Sequence, residues 1–224
     1  MASDDNNYYA PPDAPLVSEA PPEAYIEGSL SPRFLRIAAI CAALQLAIAA
    51  LSVVIELNAA DPEPPNWFVY WTLVPSVILA CFALFAFRRL LRARFNHHRS
   101  DKVIYWLIGL NVATLIPTPF VPPTFDPNDW ALKLFLTIVA GTGIASVVFG
   151  IKLLRAGLGR RLVTAYAWTT IIGGVLLITI LLFVIGILVL LVSSLLLTFI
   201  FAGAAKELAE ARAASANGTP LPPR

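Results

Sequence analysis

An uncharged stretch of 44 residues, 162–205, is the feature that most constrains this chain. The hydrocarbon core of a bilayer is about 30 Å thick, and a helix needs about 20 apolar residues to cross it. The stretch is therefore too long for one crossing and long enough for two. It predicts an all-α integral membrane protein.

The composition points the same way. Hydrophobic residues make up 58% of the chain and charged residues 13%, against roughly half and a quarter in globular domains. The excess apolar residues must face lipid or lie between helices. The two cysteines, Cys41 and Cys81, both fall inside apolar runs, so we expect reduced thiols rather than a disulfide.

Six transmembrane helices account best for the apolar runs. We predict a membrane domain over 32–206 with spans at about 33–57, 67–88, 103–117, 131–154, 163–184 and 187–205. The third span is short because prolines follow it, and the last apolar stretch divides near Gly186. The alternative has five spans, with an interfacial helix at 162–172 that breaks at Gly173-Gly174 before one long span.

The loop charges predict the orientation. Six bases and one acid, Asp101, lie between spans two and three, and four bases without an acid lie between spans four and five. By the positive-inside rule both loops are cytoplasmic. The chain ends then lie inside as well: an acidic, proline-rich tail at 1–31 that we expect to be disordered, and a C-terminal tail at 207–224.

Small residues recur at helical spacing in two spans and predict close helix packing. We expect these positions to build the bundle, with a homodimer contact as the alternative. They are Ala39, Ala43 and Ala47 in the first span, and Gly141, Ala145, Ser146 and Gly150 in the fourth.

The basic segment after span two is a candidate contact for lipid head groups, because clustered bases beside a span attract anionic lipid. Its bases are Arg88, Arg89, Arg92, Arg94, Arg99 and Lys102. The adjacent His97 and His98 point about 100° apart on a helix and have one acid nearby. We interpret them as part of a solvated loop rather than a metal site.

Polar residues within the spans are few. Pro75 and Asn111 are candidates for lining a cavity, although a packing kink and an interhelical hydrogen bond are the alternative. No ionisable side chain lies at mid-membrane depth, which argues against a proton- or ion-coupled carrier. No pattern of catalytic, cofactor-binding or metal-ligating residues is found. We expect no enzyme activity, no cofactor and no nucleic-acid partner.

The residues Asn7-Tyr8-Tyr9-Ala10-Pro11-Pro12-Asp13-Ala14 resemble the Asn-Pro-Tyr-x-Pro-Pro-x-Ala leader of many uncharacterised bacterial multispanning inner-membrane proteins, with Tyr8 in place of the proline. The segment from Leu153-Leu154 through Tyr166 and the last two spans also resembles members of that group. The resemblance implies a bacterial cytoplasmic membrane and supplies no activity or ligand.

Taken together, these patterns favour a non-catalytic inner-membrane protein, an accessory or interaction subunit. Its expected partners are membrane lipid and either another membrane protein or a second copy of itself. A small-solute or lipid transporter or channel is the alternative. A membrane immunity protein against a toxin is the second alternative.

Overall fold

The computed structural model describes residues 30–58, 66–121, 128–158, 160–179 and 183–216. Positions 1–29 of the predicted N-terminal tail and positions 217–224 of the predicted C-terminal tail lie outside the described residues. Over the described ranges the chain is helical and has no strand. The helices are α1 (Pro32–Asn58), α2 (Asn66–Phe95), α3 (Asp101–Ala113), α4 (Trp130–Arg155), α5 (Arg161–Ile178) and α6 (Phe183–Ala216), with a short 3₁₀ helix at Thr118–Phe120.

Six segments of the described chain are long and apolar enough to cross a membrane. This confirms the all-α integral membrane fold with six spans. The break at Gly173-Gly174 that the five-span alternative predicts is absent, because α5 continues through both glycines and α6 is a separate helix. The third span includes a turn and the 3₁₀ helix after α3, where prolines remove the backbone donors that a longer α-helix would need.

The division between the last two spans differs from the prediction. α5 ends at Ile178 and α6 begins at Phe183, so Gly186 lies inside α6. A Cβ atom on Gly186 would lie 3.1 Å from the backbone nitrogen of Leu177. The glycine therefore serves close helix packing rather than a turn.

The six helices form a closed ring. Each helix packs against the next one in sequence, and α6 packs against α1. Because successive helices alternate in direction, the starts of α1, α3 and α5 meet the ends of α2, α4 and α6. We call this the charged end, since residues 88–102, 152–161 and 206–212 lie there. The other end is called the opposite end.

Four aromatic rings fill the centre of the ring of helices towards the charged end. Phe87 lies edge-on to Tyr166, Phe149 and Phe201, with ring centroids 5.3, 6.1 and 6.3 Å away. The four side chains come from four helices and are at most 5% exposed. Edge-on aromatic pairs add about 0.5–1.5 kcal/mol each beyond the burial of their area, so this aromatic cluster ties α2, α4, α5 and α6 together.

Glycines bring α4 and α5 into backbone contact. A Cβ on Gly143 would lie 2.6 Å from the carbonyl oxygen of Gly174, and a Cβ on Gly174 would lie 2.6 Å from the carbonyl oxygen of Gly143. A Cβ on Gly150 would lie 2.7 Å from the carbonyl oxygen of Ala167. Only residues without a side chain permit these distances, so the α4–α5 interface depends on them.

The predicted small residues of span four lie on more than one side of α4. Ser146 and Gly150 are buried against α5, and Gly141 instead faces Leu110 of α3. Ala145 is partly buried against the core at the charged end. Gly143 and Gly174, the closest pair, are absent from the predicted set.

On α1 the structure differs from the predicted packing face. Ala39 is buried, whereas Ala43 and Ala47 are exposed, and the buried side runs through Ala38 and Ala42. Alanines occur on both sides of α1, so their spacing alone does not select the side that the ring covers. The positions of α2 and α6 make that selection.

Candidate interaction surfaces

Asp101 anchors one ion-pair cluster at the charged end. It opens α3 and accepts hydrogen bonds from Arg88 Nε at 3.0 Å and from Arg92 Nε at 2.9 Å. The Arg88 guanidinium also lies 4.6 Å from the centroid of the Tyr105 ring. The side chains of Arg88 and Asp101 are 12% and 14% exposed. This cluster fixes the end of α2 against the start of α3.

Glu207 anchors a second cluster that joins three helices. Arg160, the residue before α5, donates from Nη1 to Oε1 at 2.5 Å and from Nη2 to Oε2 at 2.9 Å. Arg94 of α2 binds the same carboxylate and is 9% exposed. Such bidentate arginine–carboxylate pairs are among the stronger charge-assisted contacts. Glu207 falls in the segment predicted as a tail, but α6 continues beyond it to Ala216.

Three of the six predicted head-group contacts thus pair with carboxylates of the chain itself: Arg88, Arg92 and Arg94. The guanidinium of Arg89 lies 5.1 Å from the centroid of the Phe34 ring. Arg99 and Lys102 are exposed. The four arginines at 88, 89, 92 and 94 belong to α2, which extends to Phe95 instead of ending near position 88. Their contact with lipid remains a prediction.

His97 and His98 have different surroundings. His97 Nε2 lies 2.9 Å from Oγ of the buried Ser100, and His98 Nδ1 lies 3.9 Å from a carboxylate oxygen of Asp101. Partial burial, followed by the charge of Arg99, lowers the pKa of His97. Among the described side chains, no cluster of three or more histidines, cysteines or acids has a geometry that could hold a metal ion.

Polar side chains within the spans mostly bond to their own helices. Asn111 Nδ2 donates to the carbonyl of Leu107 at 2.8 Å, so this amide bonds within α3 rather than across helices. Hydroxyls that donate to the carbonyl four residues earlier include those of Ser52, Thr137, Thr142, Ser194 and Thr198. Ser193 donates to Thr169 across the α5–α6 interface at 2.9 Å. Pro75 lies partly buried inside α2.

Between positions 37 and 54, one side of α1 is exposed among the residues that the structure describes. We call it the α1 outer face. Its large members recur at helical spacing and are 50–59% exposed: Ile37, Ile40, Leu44, Leu51 and Val54. The exposed Ala43 and Ala47 lie among them. The face therefore combines large apolar side chains with two small residues four positions apart.

A groove of about 440 Å³ opens between α1 and α6 at the charged end. We call it the α1/α6 groove. Four alanines lie along it, Lys206 and Glu210 stand on its α6 side, and the complete lining is Arg36, Ala39, Ile40, Ala202, Ala205, Lys206, Ala209 and Glu210. Because half of these side chains are single methyl groups, the two helices leave space between them.

No protein-family model matches the chain, and neither a curated protein nor a solved structure does.

Proposed function

We propose that this protein is a non-catalytic subunit of the bacterial cytoplasmic membrane that docks against another membrane protein through the α1 outer face. The observation that carries the proposal is the exposure of Ala43 and Ala47, two small residues four positions apart on a helix of the ring. The large apolar residues beside them would pack around a partner helix.

The physics of helix association in lipid supports this use of the face. Lipid tails are as apolar as leucine, so helices associate through close packing, which small residues permit. Within the chain, the α4–α5 interface relies on the same device at Gly143 and Gly174. Ala43 and Ala47 offer a similar approach on a side of α1 that the other helices do not cover.

The charges support an orientation with both chain ends in the cytoplasm. The two basic segments, 88–102 and 152–161, lie at the same end of the ring. The positive-inside rule assigns such an end to the cytoplasm. Leu30 and the last turns of α6 are at this end too, because Arg212 Nη2 donates to the Leu30 carbonyl at 2.8 Å. A topology reporter fused to either terminus tests this orientation.

Affinity purification from native membranes in a mild detergent, followed by mass spectrometry, tests the docking proposal. We expect a stoichiometric membrane-protein partner with the unchanged chain and its loss with the double variant A43L/A47L. Gly109→Leu is the matched control, since Gly109 is exposed on α3 and an added Cβ meets nothing within 4 Å. Recovery of no partner, or equal loss with the control variant, would contradict the proposal.

A second candidate is a small-solute or lipid transporter, favoured by the asymmetry of the ring. The aromatic cluster and both ion-pair clusters close the charged end, whereas α1 to α3 pack less tightly at the opposite end. Such an arrangement is typical of a pathway closed on one side. Liposome flux over a panel of neutral and charged solutes tests it. Absence of flux both in the unchanged protein and in Phe87→Ala would remove this candidate.

A further inference from the structure

We propose that the α1/α6 groove binds an anionic phospholipid, with the lipid phosphate between Arg36 and Lys206 and an acyl chain over the alanines. This ligand differs from the docked protein proposed above, and the two surfaces share Ile40 at their border. The groove also lies on different helices from the basic segment 88–102.

The first argument is that the cations of the groove are available to a ligand. Among the described residues Arg36 has no ion pair. Lys206 lies 3.9 Å from Glu210, and the two side chains are 80% and 49% exposed. Exposed pairs of this kind contribute little. The arginines of the two ion-pair clusters, in contrast, are held by Asp101 and Glu207.

The second argument is the depth of the groove. Arg36 lies in the first turns of α1, and Lys206 lies where the apolar stretch of α6 ends. Both positions therefore lie at the level of head groups for helices that cross a bilayer. A base in this zone is attracted to an anionic leaflet. Two bases, Arg36 and Lys206, and one acid, Glu210, line the groove, so its net positive charge favours an anionic group.

The third argument is the apolar floor. Ala39 and Ala205 are buried, and Ala202 lies one helical turn from Lys206 towards the membrane centre. An acyl chain can lie along such a shallow apolar surface while its phosphate stays at the bases. Ile40, which also lines the groove, is 59% exposed, as expected for a residue that faces lipid.

The chain's own acidic tail is the competing occupant. Residues 1–29 carry six acids and no base, and they join the fold at Leu30, at the same end as the groove. The apolar floor favours lipid, because a segment rich in charge and proline would leave those methyl groups without an apolar partner.

The test titrates the purified full-length protein with palmitoyl-oleoyl phosphatidylglycerol and, separately, with the phosphatidylcholine of the same acyl chains, using native mass spectrometry. We expect preferential binding of phosphatidylglycerol. The double variant R36Q/K206Q should weaken it by about tenfold or more, since two favourable charges are removed. The matched control R155Q/R161Q removes two exposed bases from the same end, outside both the groove and the segment 88–102, and should retain binding.

A second variant separates shape from charge. Ala202→Leu fills the groove and leaves both bases in place, so we expect it to reduce binding as well. Equal affinity for the two lipids, equal loss in both double variants, or full binding by R36Q/K206Q would overturn the proposal. So would full binding by Ala202→Leu. A photo-crosslinker at position 202 that captures residues 1–29 instead of lipid would assign the groove to the tail.

Discussion

The two ends of the ring are held together differently. At the charged end, aromatic rings from four helices and two ion-pair clusters fix the helices to one another. Towards the opposite end, α4, α5 and α6 remain close through glycines, such as Gly173 against Leu190 and Gly186 against Leu177. α1, α2 and α3 have mostly partly exposed side chains there. Stability should therefore depend most on the charged end.

Removing one aromatic ring from the charged end should give the largest loss. Phe201→Ala deletes a fully buried ring that contacts Phe87, and such core changes cost about 3–5 kcal/mol. Phe199→Ala is the control, because that ring is 53% exposed two residues away. Thermal unfolding in detergent measures both. Similar melting temperatures for the two variants would remove the distinction between core and lipid-facing side chains.

The glycine contacts between α4 and α5 should give the next largest effect. Gly143→Ala places a Cβ 2.6 Å from the Gly174 carbonyl oxygen, so the helices must separate, at about 1–3 kcal/mol for overpacking. Gly109→Ala is the control, because an added Cβ meets nothing within 4 Å there. Chemical denaturation in mixed micelles compares the two. An unchanged midpoint in Gly143→Ala would show that the backbone contact is dispensable.

The ion-pair cluster at Glu207 should contribute less, because its side chain is 20% exposed. Glu207→Gln removes the charge that Arg94 and Arg160 share, and we expect a loss of about 1 kcal/mol because solvent screens a partly exposed pair. Lys206→Gln is the control, since that side chain is 80% exposed and lies 3.9 Å from Glu210. A double-mutant cycle with Arg160→Gln isolates the pair. Additive effects in that cycle would mean that the two side chains do not stabilise each other.

The sequence predicts well what the bilayer itself dictates. Span number follows from runs of uncharged residues, and the irregular end of the third span follows from its prolines. Both depend on neighbours in sequence. The sequence also identifies Ser146 and Gly150 as packing residues, because small residues four apart on one helix are visible without knowing the partner.

The remaining features depend on which helices become neighbours. Arg94 and Glu207 are 113 positions apart and meet because the ring places α2 near α6. The α1/α6 groove likewise needs the closure of the ring. On α1, alanines at 38, 39, 42 and 43 leave the covered side undetermined until α2 and α6 are in place. A single sequence carries no signal for these pairings beyond the residue types themselves.

The smallest expected effect is the pH dependence that His97 gives to the charged end. Burial and Arg99 lower its pKa, with His98 and Lys152 acting in the same direction and Asp101 opposing them. The folded protein therefore favours neutral His97. Stability should be constant above the ordinary pKa of about 6.5 and fall as the pH drops from there through the lowered pKa, because the unfolded chain binds the proton first.

Melting temperatures recorded in a series of buffers from about pH 7.5 to about pH 5 would measure this effect. His97→Gln should flatten the curve, since the amide does not titrate and can still bond to Ser100. If His97→Gln retained the full pH dependence, another group at the charged end would have to bind the proton. The difference in stability between the tightly packed charged end and the more loosely packed opposite end would then depend on packing and ion pairs alone.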